Sequence, residues 1–367
     1  MPKILKAIGL MSGTSLDGID AALLDTDGED IARPGPALTI PYDPETRAML
    51  RAALSEARNV AEGAPIPWSI RDAERRLTEA HASAVEALLK KARLAPRDVA
   101  LIGFHGQTIL HRSERRWTWQ IGDGALLARL TGIDTVNDFR SADVKAGGQG
   151  APLVPLYHAA LVKSAKVDQP VAIVNIGGVA NVTYVDGATV LAFDTGPGNA
   201  PIDDWAQRHA GKPVDEDGAL AAKGKVDNEI LARMLQHDFF AKRGPKSLDR
   251  LDFGMADVEH LSPEDGAATL TAFTAATIAR AREHFPDSAD SWIVCGGGRH
   301  NKTLMNELRA RLNVPVIPAE ENGWRGDFIE AEAFAYLAVR SIHGLPLSLP
   351  ATTGVPEPMT GGKLHKA

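Results

Sequence analysis

The sequence predicts an α/β protein of two related domains, and three observations carry that reading. Its 367 residues exceed what one hydrophobic core organises, so two domains of roughly 150–200 residues each are expected. Apolar runs that end in glycine turns alternate with amphipathic helices, the pattern of strands joined through helices. The stretches AIGLMSGTSLDGIDAALLD (Ala7 to Asp25) and AIVNIGGVANVTYVDG (Ala172 to Gly187) also share one plan: apolar run, glycine turn, second alternating strand. This weak internal repeat suggests two halves built on the same hairpin. The division falls near residue 165, giving one domain over 1–165 plus 330–367 and another over 166–329.

Along the chain, residues 3–25 read as two strands around the opening loop. From Ser69 to Leu94, Ile70, Ala73, Leu77, Ala80, Ala84 and Leu88 recur at helical spacing. Ser69 with Asp72 marks that helix's start and Pro96 its end. His81, one turn beyond Leu77, reads as a packed histidine. VALIGFHGQT (Val99 to Thr108) is a buried strand running into a polar loop. Gly132 to Pro155 reads as a short strand followed by a long glycine-rich loop carrying Asp138, Arg140 and Asp143. Loops of that length are usually functional or disordered. From Pro170 the chain runs strand, Gly-Gly turn, strand, turn, strand, then a loop opening a helix. Ser262-Pro263-Glu264-Asp265 starts a helix that stops near Pro286. A strand, a triple-glycine turn and a helix follow over 291–312. Gly326 to Gly344 is a final helix with Phe334, Leu337 and Ser341 on one face, and Asp327 with Glu330 makes a capping box at its start. The tail from Leu345 reads as extended over the surface.

Composition narrows the function classes. Hydrophobic residues at 44% and charged residues at 24% argue against disorder. The net charge of −7 leaves no electrostatic footprint for nucleic acid or an anionic membrane. Cys295 is the single cysteine, so no disulfide framework exists and a reducing compartment is expected. It reads as a small buried residue. The first apolar run breaks at Ser12-Gly13, too short for a signal peptide, and no run approaches a membrane span. A soluble, cytoplasmic protein is expected, with monomer and homodimer both open.

No Walker A pattern and no G-x-G-x-x-G occur. Asp252-Phe253-Gly254 spells a protein-kinase metal motif, but no H-R-D loop precedes it, so it reads as coincidence. What remains is three glycine turns at strand ends: Gly13, Gly177-Gly178 and Gly296-Gly297-Gly298. Such turns let backbone amides converge on an anion. Thr14 and Ser15 can add hydroxyl donors, and Asp17 or Asp20 can orient a magnesium ion through water. A single glycine turn is equally an ordinary hairpin.

The arrangement resembles the actin and sugar-kinase superfamily, in which two related domains each offer a glycine hairpin to nucleotide phosphates across an interdomain cleft. More narrowly, GLMSGTSLDGID, FHGQT, NDFRSADVKAGGQGAPLVP, NIGGVANVT, FDTGPGN, CGGGRHN and GDFIEAEAFAYLA, in order from Gly9 to Ala338, resemble the anhydro-N-acetylmuramic acid kinase family. The resemblance implies an ATP- and Mg2+-dependent enzyme of peptidoglycan recycling. It opens 1,6-anhydro-N-acetylmuramic acid with water and phosphorylates the freed 6-oxygen, giving N-acetylmuramic acid 6-phosphate and ADP. Gly13, Thr14, Ser15, Leu16, Asp17, Gly18, Ile19 and Asp20 then form the first phosphate hairpin, and Gly177, Gly178 and Asn181 the second. Gly296, Gly297 and Gly298 hold the adenosine.

Water attack at the anomeric carbon needs a general base. Asp194 ends the apolar strand VLAFD and matches the family's base; capping the next turn is the plainer alternative. Arg140 suits the lactyl carboxylate, or else pairs with Asp138 or Asp143. His105, Gln107 and Thr108 lie at a strand end, where α/β proteins place ligands. With Asp138, Arg140 and Glu330 they make the sugar-binding set. Asn175 serves either phosphate contact or turn stabilisation. Metal ligands are not legible. Two rivals stand beside this reading: an ATP-binding sugar sensor without catalysis, and a kinase of free amino sugars.

Overall fold

A computed structural model describes residues 3–13, 16–248 and 252–367. The chain divides into two compact units, Met1–Lys166 with Phe328–Ala367, and Val167–Asp327.

In the first unit, β1 (Leu5–Met11), β2 (Gly18–Thr26) and β3 (Ala32–Pro41) form an antiparallel meander. β4 (Leu101–Phe104) lies parallel to β1, and a separate hairpin follows from β5 (Gln107–Arg112) and β6 (Trp117–Ile121). β7 (Thr135–Asn137) adds to β4 in parallel, giving the order β3-β2-β1-β4-β7. Gln107 and Thr108 therefore open a second strand and are not part of the polar loop expected there.

Two glycines set how close the last helix comes to this sheet. A Cβ on Gly9 would lie 1.7 Å from the Ala331 carbonyl oxygen, and one on Gly103 would lie 1.9 Å from that of Phe334. Helix Ile329–Ile342 thus rests backbone to backbone on β1 and β4, which requires the small residues Ala331, Ala335 and Ala338. The opposite face is covered by helix Trp68–Ala92, through Ile70, Ala73, Leu77, Ala84 and Leu88. That helix starts one residue before Ser69, with Pro67 at the cap and no side-chain cap bond. Ser69 instead donates to Glu56. It ends at Arg93, whose left-handed φ of 57° turns the chain three residues before Pro96. His81 is the packed histidine expected: Nδ1 lies 2.8 Å from the Leu77 carbonyl and the ring tilts onto Phe104.

The tail is not a surface strap. Lys363–His365 pairs antiparallel with β7 and extends the sheet. Ser348 and Thr353 are buried, and both hydroxyls donate to the buried Asp143 carboxylate. The long loop before Pro155 likewise contains a short helix, Ser141–Lys145.

The second unit repeats the arrangement. β8 (Val171–Ile176), β9 (Val179–Asp186) and β10 (Thr189–Pro197) form the meander. β11 (Ser291–Cys295) runs parallel to β8, and β12 (Val316–Pro318) parallel to β11. The order β10-β9-β8-β11-β12 matches β3-β2-β1-β4-β7 strand for strand in sequence and direction. The repeat seen in the two hairpins extends to the whole sheet. Helix Pro263–Arg280 begins as expected, with the Ser262 hydroxyl accepting from the Asp265 amide at 3.1 Å. Phe253 of the D-F-G tripeptide stacks on Phe240 and meets Phe273, so it serves an aromatic core. Among the described residues no helix is long and apolar enough to cross a membrane.

Candidate active site

The opening turn joins β1 to β2. Thr14 and Ser15 lie outside the described residues. Around them, the Leu16 amide donates to the Gly13 carbonyl at 3.1 Å, and Leu16 holds a φ of 57° with its side chain buried. Gly18 packs on β3, where a Cβ would sit 2.4 Å from the Ile40 carbonyl oxygen. Ile19 belongs to the core, so only its backbone faces the turn. Asp17 is exposed and pairs with Arg47 at 2.8 Å, whereas Asp20 accepts from Thr39 at 2.6 Å. Ser12 Oγ donates to Gln107 Oε1 at 2.7 Å and accepts from Tyr42 Oη at 2.8 Å. This buried relay fixes Gln107 beneath the turn. Sequence reasoning missed Ser12 and Tyr42 as members, because 95 residues separate Ser12 from Gln107.

In the same unit, Arg140 Nε donates to His105 Nε2 at 3.0 Å, and Nη1 donates to the Gly150 carbonyl at 2.6 Å. His105 Nδ1 lies 2.8 Å from the Gly106 carbonyl and carries its proton there. Burial, then the Arg140 charge, hold His105 well below the ordinary histidine value, so it is a neutral acceptor at pH 7. Its ring tilts against Phe334, with centroids 4.5 Å apart. Burial also lowers the Arg140 guanidinium, against the nearby Glu330 and Asp143 carboxylates.

The ion pair with Asp138 or Asp143 considered for Arg140 does not form. Asp143 is taken by the Gly150 amide at 2.6 Å and the two tail hydroxyls. Asp138 is exposed, with a left-handed φ of 57°. Thr108 accepts from Gln120 at 3.1 Å, on β5. Glu330 stands half-buried in the first turn of helix Ile329–Ile342, but the capping box is absent. Phe328 is the cap without a side-chain bond, and Asp327 is held by Arg299 through two 2.7 Å hydrogen bonds.

In the second unit, Asp194 is not at a strand end. β10 continues through it to Pro197, with a register shift between Asp194 and Gly196. Asp194 pairs with Asn181, Asn181 with Asn175, and Asn175 with Cys295, so one row of side chains crosses four strands. Cys295 is buried with Sγ 3.4 Å from the Val174 carbonyl, a packing role. The Asp194 carboxylate is buried; Oδ2 accepts from the Leu248 amide at 2.8 Å. Capping of the following turn is therefore not its role. Burial lifts its pKa to about 7, against the Leu248 amide and the Lys246 charge.

The Gly177-Gly178 turn joins β8 to β9. Its carbonyls accept from Asn199 at 2.7 Å and Gly198 at 2.9 Å, just before helix Ala200–Ala210. The triple-glycine turn lies against the same strand end. Gly296 has φ 74°, and a Cβ there would meet Asn175 Oδ1 at 2.4 Å; one on Gly298 would meet Ile176 at 2.3 Å. Behind it, Arg299 is buried between Asp327 and Glu320 and bonds the Gly296 carbonyl at 2.9 Å, which fixes the turn. Two glycine turns and a buried carboxylate thus share one end of one sheet. Among the described residues no group of three His, Cys, Asp or Glu side chains gathers as a metal cage.

Two sheets that share one five-strand order, each opening on a glycine hairpin, define an α/β protein of two related units. The sequence model of the family "Anhydro-N-acetylmuramic acid kinase" matches residues 5–367. The chain is 54% identical to the protein of that name from Rhodospirillum rubrum over 360 residues, 97% of this chain and 93% of the relative. It is 55% identical to that from Azorhizobium caulinodans over 368 residues, covering 99% of both. The chain belongs to the anhydro-N-acetylmuramic acid kinase family.

Proposed function

We propose that this chain uses ATP and water to convert 1,6-anhydro-N-acetylmuramic acid to N-acetylmuramic acid 6-phosphate and ADP, in peptidoglycan recycling in the cytoplasm. The observation that carries the mechanism is Asp194: a buried carboxylate with a pKa near 7, one oxygen held by the Leu248 amide. A base poised near the working pH is what proton removal from water requires.

Asp194 takes a proton from water as its oxygen bonds to the anomeric carbon. The bond from that carbon to the bridging 6-oxygen breaks, and the oxygen's electron pair bonds to the γ-phosphorus. The bond from phosphorus to ADP breaks, and the Asp194 proton is later lost to solvent. The Gly13–Asp20 hairpin, with Gly177, Gly178 and Asn181, receives the phosphates, and Gly296, Gly297 and Gly298 the adenosine. Phosphoryl transfer needs little from the protein beyond such positioning and charge stabilisation. Asp17 or Asp20 would be the carboxylates to hold a magnesium ion, which would supply charge neutralisation on the phosphates. Arg140, oriented by His105 and the Gly150 carbonyl, takes the lactyl carboxylate; Gln107, Thr108, Asp138 and Glu330 complete the sugar set.

Asp194→Asn tests this directly. Turnover should fall on the order of 10²–10⁴-fold while ATP binding, followed by calorimetry, stays near wild type. A variant that kept most of its activity would remove the base assignment.

A further inference from the structure

Lysine is almost never buried without an anionic partner, yet Lys246 is 8% exposed. Among the described residues no carboxylate forms an ion pair with it. Its ammonium donates to the carbonyls of Phe239 at 3.1 Å and Lys242 at 2.9 Å, and lies 4.5 Å from the centre of the Phe239 ring and 5.7 Å from that of Phe193. Phe193 is the residue before Asp194. The backbone of the same segment lies along the outer edge of β10: the Asp194 amide donates to the Lys246 carbonyl at 2.9 Å, and the Leu248 amide donates to Asp194 Oδ2 at 2.8 Å. An apolar side chain would anchor this segment with no desolvated charge, so anchoring alone does not explain a lysine.

We propose that Lys246 is a positioning residue for Asp194: it pins the segment Lys246–Leu248 whose Leu248 amide grips one carboxylate oxygen, and it keeps a buried positive charge within electrostatic reach of that carboxylate. The proposal rests on Asp194 as the base. Burial lowers Lys246 to about 8 and lifts Asp194 to about 7, and each charge opposes the shift of the other. The other groups that face Lys246 are Arg280, Lys242 and Glu283, and His284 feels its charge in turn. Removing the ammonium leaves Asp194 with burial and only the Leu248 amide to support its ionised form, so its proton is held to higher pH.

The test is the pH profile of kcat/KM for the full-length enzyme as wild type, Lys246→Met and Lys246→Gln, with Asp194→Asn in parallel. Glutamine keeps a donor for the two carbonyls and protects the measurement if methionine unfolds the segment. In both neutral variants the acid limb should move to higher pH by about half to one unit, with activity recovering toward alkaline pH and KM for ATP unchanged. Lys246→Arg should leave the limb in place. A lower rate at every pH with an unmoved limb would reduce Lys246 to a structural anchor and overturn the proposal. If Asp194→Asn stays active, the base reading fails instead, so the two failures are distinct.

Discussion

Arg140 donates its Nε–H to Nε2 of His105 across 3.0 Å, and the His105 Nδ1 proton is engaged by the Gly106 carbonyl. The imidazole is thereby fixed as a neutral acceptor, and its work is to aim the guanidinium. Arg140→Lys removes the planar fork and should raise KM for the sugar ~10–100-fold with a smaller change in kcat. His105→Gln should produce a weaker version of the same split. Steady-state kinetics with the sugar varied checks both; a kcat loss at unchanged KM would place Arg140 outside sugar binding.

The same loop depends on the tail. Asp143 joins the Gly150 amide to the hydroxyls of Ser348 and Thr353, and the Gly150 carbonyl in turn holds Arg140. Asp143→Ala leaves three buried donors unmatched and should cost about 3 kcal/mol, read as a fall in Tm of roughly 6–12 °C. Truncation after Gly344 should reproduce the loss and also raise KM for the sugar. Calorimetry on the two variants decides it, and an unchanged Tm would mean the tail is dispensable.

Acid should loosen the two units differently. His81 titrates near 4 and His158 near 3, both lowered by burial, and His105 well below its ordinary value. The unfolded chain takes up protons near pH 6.5 where the folded one does not, so their stability contribution is complete above pH 6.5 and is lost as pH falls through it. By pH 5 His81 and His158 each remove about 2 kcal/mol from the first unit, and His105 acts in the same direction. Asp194 has the opposite sign: its raised value makes the second unit lose stability as pH rises from about 4 to about 7. Hydrogen exchange at pH 5 and pH 7.5, corrected for intrinsic rates, should show protection falling in helix Trp68–Ala92 and not in β10. Equal loosening of both would contradict the assignment.

The triple-glycine turn offers a graded comparison. A Cβ on Gly298 would strike Ile176 at 2.3 Å, but one on Gly297 meets nothing closer than 3.6 Å. Gly298→Ala should destabilise the fold by about 1–3 kcal/mol. Gly297→Ala should leave Tm unchanged yet weaken ATP binding several-fold. If Gly297→Ala binds ATP normally, the adenosine assignment of this turn is wrong.

Much of this architecture is legible in the amino-acid sequence. Alternation in Ala7–Asp25 and Ala172–Gly187 is strong because those strands are half or fully buried, and the repeat they suggested holds for five strands of each sheet. Asp194 was legible as a residue and misread in place. Thr195-Gly196-Pro197 has turn composition, but β10 absorbs it through a register shift, with Gly196 packed on Thr277. Asp327 and Glu330 have capping-box spacing, yet the two-bond grip of Arg299 on Asp327 prevails over a local cap. A three-residue strand such as Lys363–His365 carries no periodicity to read. Lys246, in a polar-looking segment, gives no signal of its burial.

The central claim is that water opens the anhydro bridge as the 6-oxygen is phosphorylated. The direct measurement is incubation with 1,6-anhydro-N-acetylmuramic acid, ATP and magnesium in heavy-oxygen water, with rapid mass analysis of the product. The expected product carries one heavy oxygen at the anomeric carbon and none in the phosphate, with one ADP formed per sugar phosphorylated. ATP turnover only with free amino sugars, or ligand binding without turnover, would contradict it.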